Sequence, residues 1–132
     1  MKNKATHNVE DMDEQKSLNI RSRSNSFRYA IAGIIKLIRQ EPNMRIHVAA
    51  TVVVIIAGIV RDLSRWEWLG IVFAISLVWI SEAVNTAIEM LCNIVCNNEY
   101  HPGVKIIKDI SAGAVLLAAI TSVVTALIVF LT

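Results

Sequence analysis

Apolar residues are sparse and show almost no periodicity over the first 25 positions, recur at helical spacing over 26–41, and then fill three long runs. In the segment 26–41, Phe27, Ile31, Ile34, Ile35 and Ile38 fall on one helical face while Arg28, Lys36 and Arg39 gather on another. The pattern predicts an amphipathic helix over 26–41, capped by Asn25 or Ser26 and ended by Pro42, which disfavours the helical conformation at Glu41. Its basic face suits an anionic lipid surface. The runs at about 46–60, 68–96 and 110–131 compare with the roughly 20 residues needed to cross the hydrocarbon of a bilayer. The first is short, and is completed if Arg45 and His47 snorkel to the interface or the bilayer thins locally. Trp66 and Trp68 mark headgroup depth at the start of the second. The expected fold is an all-α membrane protein, one amphipathic surface helix followed by three transmembrane helices. A disordered polar tail over 1–25 would precede a membrane domain over 26–132. No apolar stretch follows the first lysines, so the tail does not read as a signal peptide.

Composition narrows the class further. The 132 residues are 55% hydrophobic and 18% charged, with a mean hydropathy of +0.53, against about 25% charged in ordinary soluble domains. A large soluble catalytic domain is excluded. A net charge of +2, with the basic residues concentrated near the N-terminus, does not fit a general nucleic-acid binder. Arg21, Arg23, Arg28, Lys36, Arg39 and Arg45 precede the first span, against Arg61 and Arg65 after it. The N-terminus is therefore expected on the cytoplasmic side, with 61–67 outside and the loop 97–109 inside. Cys92 and Cys96 lie four residues apart in a helical run, where they read as small apolar side chains rather than a disulfide or half of a metal site.

The second span carries the chemistry. Glu82, Asn85, Glu89 and Asn93 share one helical face, and ionisable groups inside a spanning helix are costly and usually functional. At 1.5 Å per residue Glu82 lies roughly 21 Å and Glu89 roughly 31 Å beyond Trp68. Glu89 then sits at the cytoplasmic boundary and Glu82 in the inner leaflet, about 10 Å apart along the helix and too far to chelate one cation together. A deep carboxylate and a boundary carboxylate suit the joining of a lipid-borne group to a water-soluble one. Lys105, Lys108 and Asp109 follow near the start of the third span, where a lysine beside helical N–H groups favours phosphate. No phosphate-binding glycine loop occurs. Two other classes fit the same residues: a small proton- or cation-translocating protein using Glu82 and Glu89, and a scaffold without chemistry.

The run Glu82-Ala-Val-Asn85-Thr-Ala-Ile-Glu89, then Glu99-Tyr-His-Pro and Lys108-Asp109-Ile-Ser-Ala-Gly-Ala-Val, resembles the signature of the bacterial integral-membrane diacylglycerol and undecaprenol kinases. The likeness spans about 26–131 and includes Glu41-Pro-Asn-Met-Arg45-Ile-His47. It implies a homotrimer of three-span subunits that transfers the γ-phosphoryl of ATP to a lipid hydroxyl at the cytoplasmic interface, with Mg²⁺. By position it implies that Glu82 is the general base, Glu41 and Glu89 metal ligands, Asn85 a positioning group, and Lys108 and Asp109 nucleotide contacts. The order Ser111-Ala-Gly-Ala, with Asn85-Thr-Ala, is more similar to the undecaprenol branch than to the diacylglycerol branch. One position departs: Asn93 stands where the family usually has aspartate, so a negative charge is missing.

The charge asymmetry carries a topological prediction. In a background lacking Cys92 and Cys96, a cysteine replacing Ser64 is expected to react with an impermeant thiol reagent applied outside the cell, and one replacing His101 is not. The opposite labelling pattern would invert the orientation.

Overall fold

The computed structural model describes residues 25–131. All but the last position of the tail expected over 1–25 lies outside them. Helix α1 covers residues 25–40, followed by α2 (Pro42–Val60), α3 (Arg65–Val95) and α4 (Pro102–Leu131). Each of the last three is long and apolar enough to cross a membrane, and no strand occurs among the described residues.

A single residue separates α1 from α2. Glu41 is extended, with φ −95° and ψ 116°, because Pro42 excludes a helical residue before it while itself occupying the first helical position. The Glu41 N–H still donates to the Leu37 carbonyl at 3.0 Å, and the Glu41 carbonyl accepts from Arg45 N–H at 3.3 Å. Two helices thus abut with one non-helical residue between them. Because α2 begins at Pro42 rather than near Ile46, it has 19 residues, about 28 Å, close to the bilayer core of about 30 Å. Hydropathy alone marked only its apolar part. The same holds at α4, which begins at Pro102: most of the 97–109 segment read as a loop is helical, and the connection is Cys96 to His101. Lys108 accordingly stands in the second turn of α4, not at its first N–H groups.

The turns follow from local chemistry. Between α2 and α3, Ser64 and Glu67 form a reciprocal capping box: Ser64 N–H donates to Glu67 Oε2 at 2.7 Å, and Glu67 N–H donates to Ser64 Oγ at 3.4 Å. Between α3 and α4, Asn97 and Asn98 adopt left-handed φ values of 48° and 62°, a conformation asparagine tolerates better than most residues. The Gly103 N–H at the head of α4 donates to His101 Nδ1 at 3.1 Å.

Packing is concentrated where α3 runs antiparallel to α4, and α2 packs more lightly against α3. The buried residues of α3 are Ile71, Ala74, Val78, Glu82, Asn85 and Cys92, one stripe at three- and four-residue intervals. Ala74 and Val78 on α3 and Ser111 and Ala118 on α4 are buried, and small residues of this kind let membrane helices approach closely. Two interhelical hydrogen bonds set the register: Ser122 Oγ donates to the Ala74 carbonyl at 2.9 Å, and Ser111 Oγ donates to Asn85 Oδ1 at 2.6 Å. The two contact points are eleven residues apart on each helix, or about 16 Å, three turns that return to the same face. At the other end Gly58 lies under the Trp68 ring, where an added Cβ would stand 2.9 Å from one ring carbon and 3.0 Å from Leu63 Cδ1.

Gly58→Ala is therefore expected to lower the thermal midpoint in detergent, by the equivalent of about 1–3 kcal/mol for an overpacked site. Gly70→Ala, whose Cβ would meet Thr125 at an ordinary 3.7 Å, is expected to leave the midpoint unchanged or raise it. Equal behaviour of the two variants would contradict the close packing at Gly58.

Candidate active site

The stripe that packs α3 against α4 continues without a change of spacing into the polar residues. Ile71, Ala74 and Val78 are followed on the same face by Glu82 and Asn85, so the fold that buries the apolar residues also buries a carboxyl group. Glu82 is 1% exposed, and its Oε2 has no hydrogen-bond partner among the described residues. It borders a cleft of about 320 Å³ whose walls come from three helices: Asn43 and His47 of α2, Glu82, Asn85 and Glu89 of α3, and Ala112 to Ala119 of α4. Asn43, His47 and Glu89 share this cleft with the Glu82 carboxyl group.

One turn above, Asn85 is 7% exposed and fully engaged. Its Nδ2 donates to Glu89 Oε1 at 3.1 Å while its Oδ1 accepts from Ser111 at 2.6 Å. The same Ser111 hydroxyl lies 3.0 Å from the Lys108 carbonyl. Lys108 Nζ donates to Asn93 Oδ1 at 2.7 Å, across from α4 to the end of α3. Asp109 instead pairs with Lys105, four residues earlier on α4, and both side chains are well exposed. Asn93, Lys105, Lys108 and Asp109 border a second cleft of about 430 Å³ closed by Cys92, Cys96, Glu99, Tyr100 and His101.

All of the sequence-derived site residues except Glu41 fall into two clefts. Glu82, Asn85 and Glu89 share the first, Lys108 and Asp109 the second, and the Ser111 hydroxyl spans the wall between them. Glu41 borders neither cleft. Sequence reasoning gave no site role to Ser111, Asn43 or His47. For Ser111 the signal was available, since it follows Lys108 by three residues and shares its face. Asn43 and His47 needed the α2–α3 packing to reveal them.

No group of three or more His, Cys, Asp or Glu side chains converges on one point among the described residues. The carboxyl groups of this region, Glu82 and Glu89 on α3 and Glu41 in the link between α1 and α2, are hard oxygen groups. Mg²⁺ is held in this way, by one or two carboxylates together with substrate phosphates and water rather than by a closed protein cage.

The arrangement has relatives. Residues 28–130 match the prokaryotic diacylglycerol kinase family. The chain belongs to that family. The undecaprenol kinase of Bacillus subtilis (strain 168) is 38% identical over 106 residues, covering 80% of this chain and 85% of the relative. The diacylglycerol kinase of Synechocystis sp. is 40% identical over 99 residues, covering 75% of this chain but 57% of that protein's length. Membership in a family of membrane lipid kinases makes this chain an enzyme of the lipid-kinase type, and favours phosphoryl transfer over the ion-translocating and scaffold readings of the same carboxylates.

Asn85→Leu keeps bulk but removes the donor to Glu89 and the acceptor for Ser111. It is expected to reduce stability by about 1–3 kcal/mol, the cost of leaving buried polar partners unmade, measured as a lower midpoint of thermal unfolding in detergent. An unchanged midpoint would mean that the Ser111–Asn85–Glu89 chain is not formed.

Proposed function

We propose that this chain transfers the γ-phosphoryl group of ATP to the hydroxyl of a membrane lipid alcohol, with Glu82 as the general base. The observation that carries the reading is a carboxyl group 1% exposed, with one oxygen unpartnered, at the edge of a cleft. An acceptor hydroxyl entering the cleft supplies the missing donor and aligns its proton with Glu82. A lipid suits the place, because the cleft shares His47 and Ala119 with a deeper apolar slot of about 160 Å³ lined by Val54, Ile71, Ile75, Val78 and Val123 among others. A hydrocarbon chain lying there carries its hydroxyl toward Glu82.

Lys108 serves the donor substrate. Asn93 holds its ammonium group with a neutral oxygen, so the full positive charge remains for phosphate. Glu89 and Glu41 are the ligands of Mg²⁺, which when bound neutralises charge on the phosphate oxygens. Asn85 orients Glu89 through its amide. Asp109, paired with Lys105 at the border of the same cleft, is the second nucleotide contact. The acceptor is a long-chain isoprenoid alcohol of the undecaprenol type, a reading supported by the relative that this chain covers over 85% of its length. The enzyme sits in the cytoplasmic membrane with its N-terminus inside, α1 lies along the surface as an amphipathic helix, and the chain assembles as a homotrimer, in keeping with the family resemblance.

Purified protein with Mg-ATP is expected to phosphorylate undecaprenol in mixed micelles, and to prefer it when diacylglycerol competes in the same micelle. No transfer to either lipid would sink the reading, and a large diacylglycerol preference would reassign the acceptor. Glu82→Gln is expected to lower turnover by about 10²-fold or more, the scale of losing a general base, with nucleotide affinity nearly unchanged. Loss of Mg-ATP affinity with turnover preserved at saturation would move Glu82 into the cation site. Glu89→Gln and Glu41→Gln are each expected to raise the Mg²⁺ concentration needed for half-maximal rate, and full activity at native Mg²⁺ would remove that residue from the ligand set.

A further inference from the structure

The side-chain amide of Asn85 has two orientations, and what surrounds it decides between them. Ser111 carries one hydroxyl proton and faces two acceptors, Asn85 Oδ1 at 2.6 Å and the Lys108 carbonyl at 3.0 Å. The shorter contact takes the proton. With Oδ1 so engaged, Nδ2 is turned toward Glu89 and donates to its Oε1 at 3.1 Å. If the hydroxyl turned wholly to the Lys108 carbonyl, as helical serines often do, the amide could reverse. Oδ1 would then oppose Glu89 Oε1, oxygen against oxygen, and the carboxylate would lose its donor and its orientation. Ser111 and Asn85 are each 7% exposed, so water does not readily substitute for either bond.

We propose that Ser111 is a positioning residue of the site, its hydroxyl fixing the Asn85 amide so that Glu89 is presented to a divalent cation in one orientation. This rests on the reading of Glu89 as a cation ligand. Glu89 would touch the cation, Asn85 would hold Glu89, and Ser111 would hold Asn85, the outer-layer arrangement that commonly orients ligating side chains. Ser111 also ties together two helices. Its bond to Asn85 runs from α4, three residues beyond Lys108, to the α3 turn that leads to Glu89, so one hydroxyl group links the helix of the cation ligand to the helix of the lysine.

The test is binding of Mn²⁺, titrated by electron paramagnetic resonance on the detergent-solubilised full chain with a non-hydrolysable ATP analogue, alongside thermal unfolding and steady-state kinetics. Ser111→Ala is expected to weaken Mn²⁺ binding by about tenfold, the lower end of the effect of losing an outer-layer partner. The lipid KM is expected to stay near native, while the unfolding midpoint falls modestly with loss of the Ser111–Asn85 bond, so Mn²⁺ is titrated well below that midpoint. Ser111→Thr, which keeps the hydroxyl, is expected to restore Mn²⁺ affinity. Native affinity in Ser111→Ala overturns the proposal, as does equal weakening in the alanine and threonine variants, which would assign the effect to packing. If the native chain itself binds no Mn²⁺, the cation reading of Glu89 falls and this inference with it, whereas native binding left intact by Ser111→Ala removes this inference alone.

Discussion

A carboxyl group buried in the packing seam between two membrane helices is the constraint on which the rest of the structure turns. Placing Glu82 at 1% exposure inside a spanning helix is unfavourable, and nothing among the described residues pairs with its Oε2. The neighbouring contacts must therefore hold it there. They do so because the seam is set by positions on either side of it: Ile71, Ala74 and Val78 below, Asn85 and Cys92 above, all on the face that meets α4. Relaxing Glu82 toward lipid or water would require α3 to rotate and strip every one of those contacts at once.

The seam resists such rotation through two hydrogen bonds as well as through packing. In lipid, interhelical hydrogen bonds contribute about 0.6–2 kcal/mol each, modest singly but geometrically exacting. The Ser122 to Ala74 bond and the Ser111 to Asn85 bond lie three turns apart on both helices. A rotation or a one-residue slide breaks both together. The first pins α4 to the backbone of α3 in the apolar region, and the second pins it to a side chain of the site. Register, burial of Glu82 and orientation of Asn85 are consequences of one interface. The light contact of α2 with α3 is where the cleft opens, and there Asn43 and His47 complete its wall.

Much of this was legible in the chain because the relevant signals are periodic. The length of the apolar runs marked the three spans, and helical periodicity put Glu82, Asn85 and Glu89 on one face before any neighbour was known. Hydropathy missed the polar first turns of α2 and α4, since Pro42 to Arg45 and Pro102 to Asp109 are helical by backbone geometry and capping rather than by apolar content. Partnerships across helices were the least legible. That Lys108 meets Asn93 while Asp109 turns to Lys105 depends on the angular position of each on α4, and both residues looked equally available in the linear motif.

Those partnerships sort the charges of the second cleft. Lys105 and Asp109, four residues apart and exposed, neutralise each other in a medium where such a pair stabilises by only a few tenths of a kcal/mol. Lys108 reaches the opposite helix and finds an amide. An aspartate at position 93 would fix the ammonium group more strongly but also cancel its charge. Asparagine fixes its position and leaves its charge intact, so the cation that faces the cleft is held without being satisfied. The first cleft has the complementary arrangement: Asn85 gives Glu89 one N–H and no charge, and Glu82 keeps an oxygen with no donor. On either side of Ser111, neutral side chains hold charged ones in place, and the unspent electrostatics are left for whatever enters from outside the protein.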